Sequence, residues 1–232
     1  YKRQVYTSEE LEAVAQIAVE HDLFVICDEV YREFVFDGGQ VRSFTNFTDL
    51  AQRIIVVDSV SKRFNACGVR IGCLATHNRE VLEVVLRYCQ ARLSVPTAEQ
   101  LMVVPMLRDG RDYSVGLCGE YEARRDAVYR GLTAIDGVTP HRSEGSFYTM
   151  TRLPIDSCED FAVFLLRDFE HQGETVYVAP GEGFYVTPGL GVDEVRIAFM
   201  YDADTLARAM TILDAAVAAY PGRLAAAAAE SA

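Results

Sequence analysis

The chain has 232 residues, half of them apolar and about a quarter charged, enough for one large globular domain or two modest ones with real cores. Its 34 acidic against 22 basic residues give a formal net charge of -12, which argues against nucleic acid or an anionic membrane surface as the main partner. No apolar run reaches the roughly 18 residues that a bilayer crossing takes, and the first residues do not read as a secretion signal.

In chain order, Thr7 with Glu10 three residues on predicts a capping box. The helix it opens carries Leu11, Val14, Ala15 and Ala18 on one face and runs to about His21. The run "LFVIC" that follows is rich in branched and aromatic residues and predicts a strand buried on both faces, ending at Asp28-Glu29. Further strands are predicted at "RIIVVD" (53–58) and "RIGCLAT" (70–76), then helices over 78–90 and 97–108. This alternation is the rhythm of an α/β sheet with covered faces.

After "LRDGRDY" the character changes. A long amphipathic helix is predicted over about 114–134, then strands around the glycine turn of "GVTPHRSEGSFYTMTRL", and a helix from Ser157 to His171. "ETVYVAP" and "VRIAFMY" read as two more strands and 203–219 as a closing helix. This second half is α+β, with a boundary near residue 115 and domains of 1–115 and 116–232. The tail "RLAAAAAESA" is low in complexity and reads as frayed.

The six cysteines are scattered with no C-x-x-C pair, several of them in apolar runs. That spacing offers neither a zinc site nor a disulfide framework and fits a reducing cytoplasm. The four histidines show no pairing that suggests a metal. "APGEGFYVTPGLG" is glycine-rich, but it does not run from a strand straight into a helix N-terminus as phosphate loops do. It reads as a turn-rich connection, and "EGSFY" as a tight turn.

Chemistry concentrates at the predicted strand ends, where open α/β sheets bind ligands. Asp28 stands at the end of "LFVIC", with Tyr31 three residues on. Taken alone, Asp28 suits a cap or an ion pair and Tyr31 a half-buried aromatic. Lys62, taken alone, is a solvated loop lysine. Its company changes the reading: Ser59 and Ser61 offer hydroxyls, and Arg70 offers a fork of donors suited to phosphate or carboxylate. An amine beside an anion cradle, with an acid nearby, is what pyridoxal phosphate requires. Arg196 is ambiguous on these grounds, because Asp193 and Glu194 allow a structural ion pair.

Here the chain resembles a known family. "DEVYREF", "DSVSKRFNACGVRIG" and "VRIAF" are similar to signatures of the fold-type I, class I/II aminotransferases, and the resemblance extends to about residue 218. Wider phrases such as "YCQARLSVPT" and "GSFYTMTRLPIDSCEDFA" resemble a bacterial branch usually called aspartate aminotransferases. The resemblance implies the C-terminal part of a large cofactor-binding domain, with a mostly parallel sheet and covering helices, joined to a small α+β domain. It implies pyridoxal 5'-phosphate as cofactor and Lys62 as the catalytic Schiff-base and proton-shuttling residue. Asp28 would pair with the pyridine nitrogen and Tyr31 with the ring oxygen, while Ser59, Ser61 and Arg70 would contact the phosphate. Arg196 would clamp the substrate α-carboxylate.

The reaction implied is ping-pong transfer of the amino group of aspartate, or a similar amino acid, to 2-oxoglutarate. The setting implied is a cytoplasmic homodimer with no nucleic-acid or membrane partner. The chain opens "YKRQVYTSEEL", without an initiator methionine, and reads as a piece of a longer protein that would be inactive alone. The family's upstream phosphate turn and ring-stacking aromatic have no counterpart in it. Two alternatives stay open: a non-catalytic ligand-sensing domain of a regulator, and a pyridoxal-phosphate enzyme with another donor or reaction, since the fold does not choose among these.

Overall fold

A computed structural model describes residues 5–225. The first residues and the Ala-rich tail from 226 onward, where fraying is expected, lie outside the described residues. The chain divides into two compact units, the first made of Tyr1–Gly119 with Glu144–Ser146, the second of Glu120–Ser143 with Phe147–Ala232.

The first unit begins with helix α1, Ser8–Glu20, started by the expected capping box. The Thr7 hydroxyl accepts from the Glu10 amide at 3.2 Å, and the Glu10 carboxylate accepts from the Thr7 amide at 2.8 Å. Three strands follow: β1 (Val25–Asp28), β2 (Ile54–Ser59) and β3 (Gly72–Ala75). A single helical turn, α2 (Val60–Arg63), lies between the last two. Strands β1 and β2 are parallel, with Asp28 opposite Val57. Strands β2 and β3 are antiparallel, with Ser59 opposite Gly72. The sheet is therefore mixed, because the chain turns straight back from β2 into β3 without the crossover that a parallel pair needs.

The run expected to be buried on both faces is covered on one. Cys27 packs with Leu11 and Ala15 of α1 and with Ile54 and Val56 of β2. Ile26, facing the other way, is 69% exposed. Alternation puts successive side chains on opposite faces, and α1 covers only one of them. A second cluster of Val60, Phe64, Ala66 and Val103 seats α2 against helix α4, Thr97–Asp109. Helix α3, Arg79–Arg92, comes between β3 and α4.

Helix α5, Arg111–Ala134, contributes to both units, and residue 115 falls within it. The second unit has an antiparallel sheet in the order β4 (Tyr148–Arg152), β6 (Glu194–Ala198), β5 (Ala179–Pro180). Helices α6 (Cys158–Arg167) and α7 (Ala203–Ala219) start where Ser157 and Asp202 accept from the amides of Asp160 and Thr205. "ETVYVAP" forms far less strand than its pattern suggests: Ala179–Pro180 pair with β6, Glu174 makes an isolated bridge to His171, and Tyr177 is exposed. The glycine turn before β4 likewise yields one strand rather than several, with an isolated bridge between Val35 and Gly145.

Candidate active site

The parallel pairing of β1 and β2 brings their carboxyl ends to one edge of the sheet. Asp28 is the last residue of β1, and Ser59 lies two residues beyond its partner Val57. The Ser59 hydroxyl accepts from the Ser61 amide at 3.1 Å and lies 2.8 Å from the Ser61 hydroxyl and 3.0 Å from the Ile71 carbonyl. Two hydroxyls are thus fixed side by side at the start of α2. Lys62 is the next residue, half-buried on a turn anchored by the buried Val60.

Arg70 sits in left-handed backbone, φ 58 and ψ 37, just before β3. Its guanidinium is exposed and donates to the Cys67 carbonyl at 3.0 Å. The Asp28 carboxylate, also exposed, accepts from the Val30 amide at 3.3 Å. Tyr31 lies in the turn after β1, edge-on to Phe34 with ring centroids 6.3 Å apart. Asp28 and Tyr31 line a hollow of about 420 Å³ together with Ile26, Glu29 and Arg32. Ser59, Ser61, Lys62 and Arg70 are not part of its lining. The predicted residues therefore fall into two groups at one sheet edge: acid and phenol on the β1 side, hydroxyls, amine and guanidinium on the β2–β3 side.

Sequence reasoning missed the charges between these groups. Asp58, the residue before Ser59, accepts from the Ser59 amide at 2.7 Å and pairs closely with Arg63. Arg63 Nε stands 3.4 Å from Glu33, and the same Glu33 oxygen is 3.4 Å from Arg32 Nε. Arg32 also reaches Glu29 at 3.6 Å and Asp58 at 3.9 Å. The legible signal was an acid and a base flanking the Ser-x-x-Lys stretch at Asp58 and Arg63. Beside this network, burial and the Glu29 carboxylate push the Cys27 thiol up to about 11, so it stays protonated and behaves as a small apolar core residue.

In the second unit, Arg196 lies on β6 opposite Met150 and Ala179. Its guanidinium sits 4.8 Å from the centroid of the Phe184 ring and 5.5 Å from that of Tyr148, within cation–π range of both. The neighbouring acids are engaged elsewhere: Asp193 pairs with Arg152 at 3.0 Å, and Glu194 accepts from the Tyr185 hydroxyl. The structural ion pair that the sequence left open is made by Arg152. The stretch after β5 forms one helical turn at Glu182–Phe184 and then further turns on the way to β6. Among the described residues no cluster of His, Cys, Asp and Glu could hold a metal, and no helix is long and apolar enough to cross a membrane.

The donor set suits pyridoxal 5'-phosphate. Two fixed hydroxyls and a guanidinium match a phosphate, an amine matches an aldehyde, and a carboxylate matches a protonated pyridine nitrogen.

Comparison with known proteins agrees. An aromatic-amino-acid aminotransferase of Thermococcus litoralis is 31% identical over 211 residues, which cover 89% of this chain and 52% of that protein. An aspartate aminotransferase of a Bacillus species is 29% identical, over 78% of this chain and 47% of its own length. The solved structure of N-succinyldiaminopimelate aminotransferase from Mycobacterium tuberculosis superposes with a TM-score of 0.81 at 30% identity, covering 90% of this chain and 54% of that one. The chain thus spans about half the length of the relatives it matches. The model of the family described as aminotransferase class I and II matches residues 4–213, and the chain belongs to that pyridoxal-phosphate-dependent family.

Proposed function

We propose that the protein carrying this chain is an aminotransferase that moves the amino group of aspartate, or a similar amino acid, to 2-oxoglutarate in a ping-pong cycle. The observation that carries the reading is the Ser59–Ser61–Lys62 turn at the carboxyl end of β2, beside the end of β1 that bears Asp28. Pyridoxal phosphate, when bound, supplies an electron sink for the bond broken at the substrate α-carbon. Lys62 Nζ would bind the cofactor aldehyde and afterwards carry the α-proton as base and acid. Ser59, Ser61 and Arg70 would hold the phosphate. Asp28 would keep the ring nitrogen protonated, and Tyr31 would donate to the ring oxygen. Arg196 would grip the substrate α-carboxylate as a fork, a role supported by its lack of an acidic partner among the described residues.

The complete protein would work as a homodimer in the cytoplasm. The six free thiols are consistent with a reducing compartment.

Lys62→Ala tests the reading. The parent protein, reconstituted with pyridoxal 5'-phosphate, should show a visible absorbance band, and borohydride reduction should fix the cofactor to the peptide containing Lys62. The variant should lose both, with turnover lower by at least about 10²–10⁴-fold. Retained turnover would end the proposal. A panel of amino donors then decides between acidic and aromatic substrates, the latter favoured by the name of the Thermococcus relative.

A further inference from the structure

We infer that Arg63 is a positioning residue that ties the turn bearing Lys62 to the turn bearing Tyr31. The inference rests on the aminotransferase reading above and adds a role for a residue that touches neither cofactor nor substrate in it.

Helix α2 is four residues long. A single turn has no helical stability of its own, because nucleation costs more than one turn returns. A lysine carried on it therefore needs outside support to hold one position. Val60 supplies some by burial, and Ser59 some by capping. Arg63, the residue after the lysine, supplies the lateral part. Its side chain is only 13% exposed, and it reaches in two directions.

One direction is Asp58, itself 14% exposed, whose other oxygen accepts the Ser59 amide at 2.7 Å. Arg63 and Asp58 thus close a brace around the Ser59–Lys62 segment. The other direction is Glu33, at 3.4 Å from Arg63 Nε. Glu33 belongs to the turn that follows β1, two residues after Tyr31. Arg32 continues the chain of alternating charges to Glu29, and Glu29 is fixed in turn by the Ser43 hydroxyl at 2.7 Å and the Phe44 amide at 3.2 Å. The contacts join three separate stretches of chain at the sheet edge where the candidate site lies.

Position in the protein decides how much such a pair matters. The exposed pair Arg152–Asp193 is the kind of surface contact worth little. Arg63–Asp58 is largely removed from water, and removing one partner leaves the other charge uncompensated. Arg63 Nε is buried and makes no hydrogen bond, so its contact to Glu33 is ionic rather than directional. The contact to Asp58 therefore sets the geometry, and the contact to Glu33 couples the two turns.

The test compares Arg63→Ala, Arg63→Lys and Glu33→Gln in the complete protein that carries this sequence. Three readouts are taken: amide exchange of the Ser59–Phe64 segment without cofactor, the rate at which added pyridoxal 5'-phosphate is captured at Lys62, and kcat separately from KM. Arg63→Ala should speed local exchange, slow capture and lower kcat by about 10- to 100-fold, the order of loss from a misplacement of about 1 Å. KM should stay within about twofold. Arg63→Lys, which can still meet Asp58, should recover most of kcat, and Glu33→Gln should lose only a few-fold.

Arg63→Ala that folds and then captures cofactor and turns over like the parent overturns the inference. Should Arg63→Ala fail to fold, Glu33→Gln decides the matter, because it spares the Asp58 pair; unchanged capture and kcat there overturn the inference equally. A parent protein that never attaches pyridoxal phosphate at Lys62 overturns both this inference and the reading beneath it. Attachment in the parent with indifferent variants overturns this one alone.

Discussion

At the residue scale, the charged side chains divide by the company they keep. Arg152 and Arg196 stand on paired strands of one small sheet, yet one is matched to Asp193 and the other leans on the rings of Phe184 and Tyr148. A guanidinium that leans on rings and, among the described residues, on no acid can offer its fork of donors to a carboxylate. Arg196→Gln should therefore raise KM for the amino acid and the oxo acid alike, by about 10- to 100-fold, given roughly 1.5–3 kcal/mol for hydrogen bonds to charged groups. Steady-state kinetics with both substrates check this, and a rise confined to one of them would contradict a shared α-carboxylate clamp.

At the element scale, helix α5 meets helix α7 where Gly131 leaves room for Met210. A methyl group added at Gly131 would lie 2.3 Å from the Met210 Cβ and 2.5 Å from its Cγ. Gly131→Ala gains up to about 1 kcal/mol of helix propensity, but overpacking costs about 1–3 kcal/mol. The net expectation is a lower urea midpoint with unchanged slope, and a stabilised variant would show that the two helices can part at no cost.

The same scale shows what the sequence disclosed. Helices with caps were legible: Thr7 and Glu10 marked the start of α1, and the 203–219 pattern matches α7 residue for residue. The strand cores "RIIVVD" and "VRIAF" were legible as apolar runs. Burial was not, because "LFVIC" carries no mark of which face would be covered, and Ile26 is largely exposed. The pairing of "ETVYVAP" was not legible either, since a strand forms only as far as a neighbour extends, and β5 meets β6 at two residues. Ser59, Ser61, Lys62 and Arg70 stood out through their spacing. The links from Arg63 to Glu33 and from Arg32 to Asp58 did not, because they join distant stretches of chain and local pattern carries no trace of them.

At the scale of the whole molecule, acidity and exposed apolar surface oppose one another. The net charge of -12 keeps copies apart. Ile26 on β1, Leu86 and Tyr88 on α3, and Leu101 and Leu107 on α4 are all well exposed, and apolar surface of that kind favours association. Salt screens the repulsion while leaving the apolar attraction in place. The chain in isolation should therefore self-associate more as ionic strength rises from about 0.01 M to 0.15 M, over which the screening length falls from about 30 to 8 Å. Sedimentation measures this directly, and association that weakens with salt would point instead to charge-driven contacts.

The backbone at Arg70 carries a lesson for anyone selecting hardier versions of this protein. A residue with a side chain is strained in left-handed backbone by about 1 kcal/mol or more, and glycine there would relax it. A screen that rewards heat resistance alone would drift toward glycine at this position, and each survivor would have traded the fork proposed to hold the phosphate for a calmer loop.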